Sequence, residues 1–207
     1  MNHYPFMLDL RNKKAVVIGG GRVALRKIRS LLKTEARIVV VSPEAVDGIQ
    51  EIAGEGLLDW RRKRFEKEDL ADASLVFAAT NDSKVNEAAA KAVSPHQWVN
   101  VADNPELGNI HMPSVLERGR LKISVSTGGA SPKLARKIRD ELSETYDDSH
   151  GGYVEFLFEC RGVIKRSDLS SQQKERLLIH LLEPKYREEV HQREMLMRLE
   201  QMIDEGQ

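Results

Sequence analysis

The sequence predicts an α/β fold, in which a parallel sheet built from the first half of the chain carries helices on its faces. The first observation is an alternation of short apolar runs with helical patterns between residues 14 and 101. The second is a turn of three glycines between the first apolar run and the first helix. Such alternation is typical of parallel sheets, because a crossover between parallel strands needs a connection of helical length.

The first half contains five predicted strands and three predicted helices. The strands are Ala15–Ile18, Arg37–Val41, Leu57–Arg62, Ser74–Ala79 and Trp98–Val101, and the helices are Arg22–Lys33, Pro43–Gly54 and Asp82–Val93. Ser42 and Pro43 form a favourable helix start, with serine as N-cap and proline at the first helical position. Ligands of such sheets bind beyond the carboxyl ends of the strands. We therefore expect the chemistry in the turns that follow the strands.

The pattern changes after Asp103, where a small α+β segment and then an all-helical tail are predicted. Pro113–Glu117 and Leu121–Ser126 alternate polar and apolar residues around a short turn, which predicts a hairpin. Ser131 caps the helix that follows, a polar break covers Tyr146–Gly152, and three helices complete the chain. The expected divisions are residues 1–112 (nucleotide-binding domain), 113–145 (dimerisation and substrate-cleft segment) and 146–207 (helical domain).

The composition excludes several classes of protein. Lys and Arg total 32, as do Asp and Glu, so the net charge of zero predicts no nucleic-acid partner. No apolar run reaches the roughly 20 residues of a membrane span, and the start of the sequence has no signal-peptide pattern, so no membrane partner is expected. The single cysteine, Cys160, is interpreted as a core residue and fits a reducing compartment, which favours the cytoplasm. The histidines show no paired metal-ligand spacing, so no metal site is predicted.

The main functional signal is the turn Gly19–Gly21 with the residues Arg22, Val23 and Ala24 that follow it. Gly19, Gly21 and Ala24 match G-x-G-x-x-A, the dinucleotide fingerprint of Rossmann-like sheets with alanine in the third place. Amides at the start of the helix favour a phosphate. A glycine-rich turn can also serve geometry alone, but the strand before it and the helix after it favour dinucleotide binding.

The turn after the second strand bears on the identity of the cofactor. Ser42, Pro43 and Glu44 stand where an acidic residue usually binds the adenosine ribose. No arginine follows this strand to receive a 2′-phosphate, and Glu44 would repel one, so NAD is expected rather than NADP. The alternative is that Ser42 and Pro43 only begin a helix, and the two roles are compatible.

The fourth and fifth strands end in further polar residues. Thr80 and Asn81 are candidate contacts for the nicotinamide ribose, although a helix cap in this segment explains it equally well. Asp103 is a candidate general base if partial burial raises its pKa. From the residues alone, an ordinary Asp-Asn-Pro turn is the favoured interpretation. His111, eight residues later, is more typical of a packing or surface position.

Cations follow the fifth strand on the predicted hairpin and its helix. They form either a solvated face or a site for a polycarboxylate, and they are Arg118, Arg120, Lys122, Lys133, Arg136 and Lys137.

Several motifs together resemble the precorrin-2 dehydrogenase / sirohydrochlorin ferrochelatase family. They are Val16-Val17-Ile18-Gly19-Gly20-Gly21-Arg22-Val23-Ala24-x-Arg26-Lys27, Ala78-Ala79-Thr80-Asn81-Asp82 with Val85-Asn86, Asn100-Val101-x-Asp103, and Ser126-Thr127-Gly128-Gly129-x-Ser131-Pro132. The resemblance extends from about Tyr4 to Leu142, and the helical tail matches only in length and character.

The resemblance implies a homodimeric enzyme, similar to the free-standing family members, that oxidises precorrin-2 to sirohydrochlorin with NAD⁺. It implies a catalytic role for Asp103, with cofactor contacts from Arg22, Val23, Pro43 and Glu44. By analogy, His111 and Ser124 would belong to the catalytic cleft for the tetrapyrrole.

Two alternatives stay open at this point. One is a bifunctional enzyme that also inserts iron. The other is a nicotinamide-sensing regulatory domain of the kind found on cation transporters. A sensing domain explains Gly19–Ala24 and Ala78–Asp82 but gives no reason for Ser126–Pro132.

Overall fold

The computed structural model describes residues 3–204, with side chains described as far as Gln201. The described residues form two compact units, and the boundary between them lies between Met112 and Pro113. A further division near residue 145 stays a prediction.

The first unit is the predicted parallel sheet. Its strands are Lys14–Ile18 (β1), Arg37–Val41 (β2), Asp59–Arg61 (β3), Ala73–Ala78 (β4) and Trp98–Val101 (β5). They pair in the order β3-β2-β1-β4-β5, and every pairing is parallel. The helices of this unit are Arg22–Leu31 (α1), Asp47–Gly54 (α2) and Ser83–Ala92 (α3). The Rossmann-like prediction is confirmed.

Burial on both faces explains why the central strands read as unbroken apolar runs. All five residues of β1 are buried. Val17 and Phe77 belong to one core cluster, to which α1 contributes Ile28. Val16 and Val76 belong to a second cluster, to which α3 contributes Ala89. Strands covered on both faces have no polar alternation, as parallel sheets require.

The predicted helix start at Ser42 and Pro43 is wrong. The hydroxyl of Ser42 donates instead to the carbonyl of Glu44 at 2.6 Å. The amide of Val46 donates to the carbonyl of Gly20 at 2.9 Å, which holds residues 43–46 as a turn. The helix α2 begins only at Asp47. A local serine-to-backbone bond thus competes with helix initiation, as short hydroxyl side chains can do.

The second unit contains the predicted hairpin and helices. Ser114–Arg118 (β6) pairs antiparallel with Leu121–Val125 (β7) around Gly119, whose φ is +56°. Pro132–Thr145 (α4) follows, capped by Ser131, whose hydroxyl accepts from the amide of Leu134 at 3.2 Å. The remaining helices are Ser149–Arg166 (α5), Ser171–His180 (α6) and Glu189–Asp204 (α7).

The expected break at Tyr146–Gly152 is shorter in the structure, because α5 already begins at Ser149. Gly151 lies inside this helix and against the hairpin turn. A Cβ at Gly151 would lie 3.4 Å from the carbonyl carbon of Arg118. The glycine thus permits a close approach of helix and hairpin rather than ending a helix.

The helical tail has a small core of its own, which includes Phe156, Cys160, Ile164 and Leu199. Burial raises the pKa of the Cys160 thiol to about 12, so this thiol stays protonated and unreactive. The interpretation of Cys160 as a core residue is confirmed. Within residues 3–204, none of the helices has the length and apolarity that crossing a membrane requires.

Candidate functional site

The turn between β1 and α1 is fixed by two glycines that no other residue could replace without strain. Gly19 has a φ of +121°, and a Cβ there would overlap the carbonyl oxygen of Ala79. A Cβ on Gly20 would overlap the carbonyl oxygen of Glu44. The turn is therefore pressed between the segments that follow β4 and β2, where only glycine fits.

Gly21 differs from its two neighbours. A Cβ at Gly21 would meet no atom of the described chain within 4 Å. Gly21 is the N-cap of α1, and no side chain caps this helix end. The first amides of α1 thus face open space beside Arg22, which pairs with no carboxylate among the described residues. This cradle fits the pyrophosphate of a dinucleotide, which needs room for close backbone approach and helix amides as donors.

Hydrogen bonds beyond the strand ends bring the polar turns to one edge of the sheet. The amide of Gly19 donates to the carbonyl of Val41 at 3.0 Å, and the amide of Ala79 to that of Ile18 at 2.8 Å. Beyond β5, the amide of Ala102 donates to the carbonyl of Ala78 at 2.9 Å. The segments that carry the predicted cofactor contacts therefore meet at the carboxyl edge. These contacts are Gly19, Gly21, Arg22, Val23, Ser42, Pro43, Glu44, Thr80 and Asn81.

A buried asparagine, Asn86 on α3, connects the ends of β4 and β5. Its amide nitrogen donates to the carbonyl of Thr80 at 3.1 Å and to a carboxylate oxygen of Asp103 at 2.9 Å. Its oxygen accepts from the amide of Thr80 at 3.1 Å. We did not predict a site role for Asn86 from the sequence. The available signal was a polar residue on the buried side of an amphipathic helix.

The interpretation of this segment as a helix cap is confirmed at Asp82. Its carboxylate accepts from the amide of Lys84 at 2.9 Å, at the start of α3. The hydroxyl of Thr80 lies 2.8 Å from the side-chain oxygen of Asn86 and so orients the same network. Asn81 is exposed at this edge.

Asp103 lies at the edge, but its environment differs from the expected one. The side chain is exposed, and its pKa is lowered, first by a hydrogen bond from Ser83 and then by the bond from Asn86. Burial opposes this shift without reversing it. The condition under which the sequence suggested a general base, a pKa raised by partial burial, is therefore not met. The backbone beyond it does form the expected turn, since Asn104 caps a short 3-10 helix at Pro105–Leu107.

The other two predicted catalytic residues, His111 and Ser124, belong to different units. His111 belongs to the first unit and is exposed, and its ring lies 4.1 Å from the ring of His3. Ser124 belongs to the second unit, where its exposed side chain projects from β7 opposite Val115. Among the described residues of the first unit, no hydrogen bond joins His111 to Asp103.

The cations of the second unit are largely neutralised by ion pairs. Arg118 lies 3.0 Å from Asp148, and Arg120 lies 2.7 Å from Glu155. Lys122 and Lys137 also face carboxylates, at 3.3 and 3.8 Å. Only Lys133 and Arg136 of the predicted basic set have no ion pair with another described residue, so the set is mostly a solvated, salt-bridged face.

The end of β3 contributes side chains that the sequence pattern did not place at the edge. The indole nitrogen of Trp60 donates to the carbonyl of Ser42 at 3.0 Å. The guanidinium carbon of Arg62 lies 4.1 Å from the centroid of the Trp60 ring. Only the register of β2 against β3, which pairs Val41 with Arg61, reveals this proximity.

Three segments of the chain match models of known families. An NAD(P)-binding family matches residues 6–114, the sirohaem biosynthesis protein central domain matches residues 118–145, and the SirC C-terminal domain matches residues 150–195. The chain is 39% identical to the precorrin-2 dehydrogenase of Priestia megaterium over 198 residues, covering 95% of this chain and 98% of that protein. It belongs to the precorrin-2 dehydrogenase family. The chain is also 36% identical to the Bacillus subtilis (strain 168) precorrin-2 dehydrogenase over 157 residues, or 76% of this chain and 97% of that protein.

A solved structure of a precorrin-2 dehydrogenase extends this relation to the fold. The structure of "SirC, precorrin-2 dehydrogenase" matches with a TM-score of 0.85 and 39% identity, covering 96% of this chain and 100% of that one. The siroheme synthase of Nitrosospira multiformis is 37% identical over 195 residues, and the chain spans 41% of that longer protein. The match to the sirohaem biosynthesis protein central domain includes the segment Ser126–Pro132, which the sensing-domain alternative left unexplained. The first unit is thus a binding domain for a nicotinamide dinucleotide.

Proposed function

We propose that this protein oxidises precorrin-2 to sirohydrochlorin with NAD⁺ as the hydride acceptor, in siroheme or cobalamin synthesis. The observation that supports this most directly is the near full-length relation to precorrin-2 dehydrogenases. The uncapped start of α1 after Gly21 also supports the proposal, because its amides have no side-chain acceptor. Overall, precorrin-2 and NAD⁺ yield sirohydrochlorin, NADH and one proton.

The protein's part in this reaction begins with orientation. The turn Gly19–Gly21 and the amides of α1 hold the pyrophosphate, with the Arg22 guanidinium beside them. A nicotinamide bound here would supply the acceptor for the hydride that the reduced macrocycle loses. Thr80 and Asn81, at the end of β4, hold the ribose that carries this ring. Because both reactants are held in position, the reaction step does not have to include the loss of translational and rotational entropy of a bimolecular encounter.

Asp103 is proposed to act as the carboxylate that faces the macrocycle. Loss of a hydride leaves a positive charge on the macrocycle, which a nearby carboxylate stabilises. The proton that must then leave is acidic, because it departs from a cation. A carboxylate of lowered pKa is a sufficient acceptor for such a proton, and Ser83 and Asn86 keep it ionised and oriented. His111 and Ser124 are proposed as polar contacts for the carboxylates of the substrate.

The proposed preference for NAD⁺ over NADP⁺ rests on Glu44. This exposed side chain stands in the turn after β2, where the ribose hydroxyls of the cofactor are recognised. Its carboxylate favours a hydroxyl over a phosphate on the 2′ position.

An anaerobic assay tests the reaction. Purified protein is mixed with precorrin-2 and NAD⁺, and the NADH formed and the spectrum of the tetrapyrrole are recorded together. The expected result is NADH in a one-to-one ratio to sirohydrochlorin. Absence of NADH with authentic precorrin-2 would remove the proposed function. Adding ferrous ion to sirohydrochlorin separately tests the bifunctional alternative, in which insertion must exceed the protein-free rate.

We also propose a cytoplasmic homodimer that uses its second unit for assembly. Several large apolar side chains of this unit are exposed, among them Phe158, Ile179, Leu182 and Met197, with 52 to 63% of their surface accessible. Exposed apolar side chains in such number are typical of an interaction surface. Replacing Ile179 and Leu182 by glutamate should give a smaller species in light scattering. A double variant that remains dimeric would contradict this interface.

A further inference from the structure

Four successive cations, Arg61 to Arg64, begin at the last residue of β3, which pairs with Val41 at the end of β2. The turn after β2 is where we propose that the adenosine ribose of the cofactor binds. Two of the four cations are neutralised by carboxylates of the chain, among them the buried Asp69. Arg61 pairs with Asp59 at 3.1 Å and with Asp69 at 3.4 Å, and Lys63 pairs with Asp69 at 3.1 Å. Arg62 and Arg64 are exposed and have no ion pair with another described residue. The charges available to a ligand are therefore those of Arg62 and Arg64.

Arg62 differs from Arg64 because the structure fixes its position. Its guanidinium stacks on the Trp60 ring at 4.1 Å, and the Trp60 indole is itself held by the carbonyl of Ser42 at 3.0 Å. One half-buried indole thus links the guanidinium to the turn that carries Glu44. An arginine whose guanidinium lies over an aromatic ring keeps the N–H groups at the edge of the guanidinium free, and these can bind a phosphate through two hydrogen bonds.

We propose that Arg62, positioned by Trp60, binds the 2′-phosphate of NADP⁺ and gives this enzyme a second usable cofactor. The proposal rests on the proposed function only in placing the cofactor at this edge of the sheet. Glu44 and Arg62 act in opposite directions on the same position, since the carboxylate repels a 2′-phosphate and the guanidinium attracts it. The ratio of NADP⁺ to NAD⁺ use is then set by these two side chains.

Calorimetric binding of two small ligands tests this assignment without the tetrapyrrole. The ligands are 5′-AMP and 2′,5′-ADP, which differ only in the 2′-phosphate. In the Arg62→Ala variant the Kd for 2′,5′-ADP is expected to rise about tenfold or more, because a charge-assisted contact is lost. The Kd for 5′-AMP should rise less than about threefold. The Arg64→Ala variant removes the same charge and should keep both affinities. The Glu44→Gln variant should strengthen binding of 2′,5′-ADP relative to 5′-AMP.

Two results would overturn the assignment. One is an equal loss of affinity for both ligands in Arg62→Ala, which would give Arg62 a role unrelated to the 2′-phosphate. The other is an equal loss of affinity for 2′,5′-ADP in Arg62→Ala and Arg64→Ala, which would show a general effect of charge. Arg62→Lys keeps the charge without the planar fork, so its affinity for 2′,5′-ADP should lie between those of wild type and Arg62→Ala. Because no precorrin-2 is present, failure here leaves the oxidation assay unaffected, and the reverse also holds.

Discussion

Two glycine-rich turns precede helices in this molecule, and the two helix ends are used in opposite ways. At Gly19–Gly21 the helix α1 begins without a side-chain cap. At Gly128–Gly129 the backbone also turns with positive φ, +60° and +89°, but Ser131 then caps α4. The amide of Ser131 is bonded in turn to the hydroxyl of Thr127 at 3.0 Å. The first helix start has no side-chain acceptor for its amides, whereas the second has one within the chain.

The comparison shows why glycine content alone says little about phosphate binding. A helix start offers unsatisfied amides only where no side chain occupies them. The Ser131-Pro132 start supplies the missing acceptor itself, whereas Gly21-Arg22 does not. The discriminating feature is therefore the cap residue. Substitutions at the two turns can therefore distinguish a structural role from a role in cofactor binding.

The largest expected effect is on folding, at Gly19. Gly19→Ala forces a side chain onto the carbonyl of Ala79 at a φ of +121°, so the free energy of unfolding should fall by about 3 kcal/mol or more. Urea unfolding followed by circular dichroism measures this loss. Equal stability of the variant and the wild type would mean that the edge of the sheet is looser than the structure shows.

Gly21→Ala is the matched variant with the opposite expectation. A methyl group at Gly21 meets no described atom within 4 Å, so stability should change by less than about 1 kcal/mol. The same methyl group occupies the space proposed for the pyrophosphate, so the Kd for NAD⁺ should rise about tenfold or more. Calorimetric titration measures this change, and an unchanged Kd would remove Gly21 from the cofactor site.

Asp103→Ala should lower kcat by at least about tenfold, the usual range for loss of an acid or base group, while binding of NAD⁺ persists. The pH dependence sharpens this prediction. Because the pKa of Asp103 is lowered below its ordinary value of 3.8, its carboxylate remains ionised across the neutral range. The kcat of the wild type should therefore show no loss from this group between about pH 5 and 8, and should fall only as the pH drops through the lowered pKa. An acid limb near neutral pH that disappears in Asp103→Ala would contradict this assignment.

The smallest expected effect is at the second turn. Ser131→Ala removes the cap of α4 and should lower the free energy of unfolding by about 1 kcal/mol. Its Kd for NAD⁺ should equal that of the wild type. A larger Kd for NAD⁺ in this variant would indicate that the cofactor contacts both turns, and the proposed difference between the two turns would be wrong.

The sequence predicts the parts of the site that depend on local pattern. The strands β1 and β2, the glycine turn and the cap at Ser131 all follow from short stretches of residues. The start of α2 was wrong because Ser42 bonds its own turn rather than a helix amide. No propensity distinguishes these two uses of the same hydroxyl.

The parts that were missed depend on contacts between distant segments. Asn86 and Asp103 are 17 residues apart, and the pKa of Asp103 is lowered first by Ser83 and then by Asn86, both of which lie on α3. Trp60 reaches Ser42, 18 residues away, only through the pairing of β2 with β3. Strand order and register decide such contacts, and neither is contained in the residues of one segment.

Titration of NAD⁺ into isotope-labelled protein, observed through the backbone amide signals, tests the central claim most directly. If the uncapped start of α1 binds the cofactor, the signals of residues 19–24 should shift to saturation, and those of residues 127–131 should stay in place. Shifts at residues 127–131 without shifts at residues 19–24 would contradict the claim.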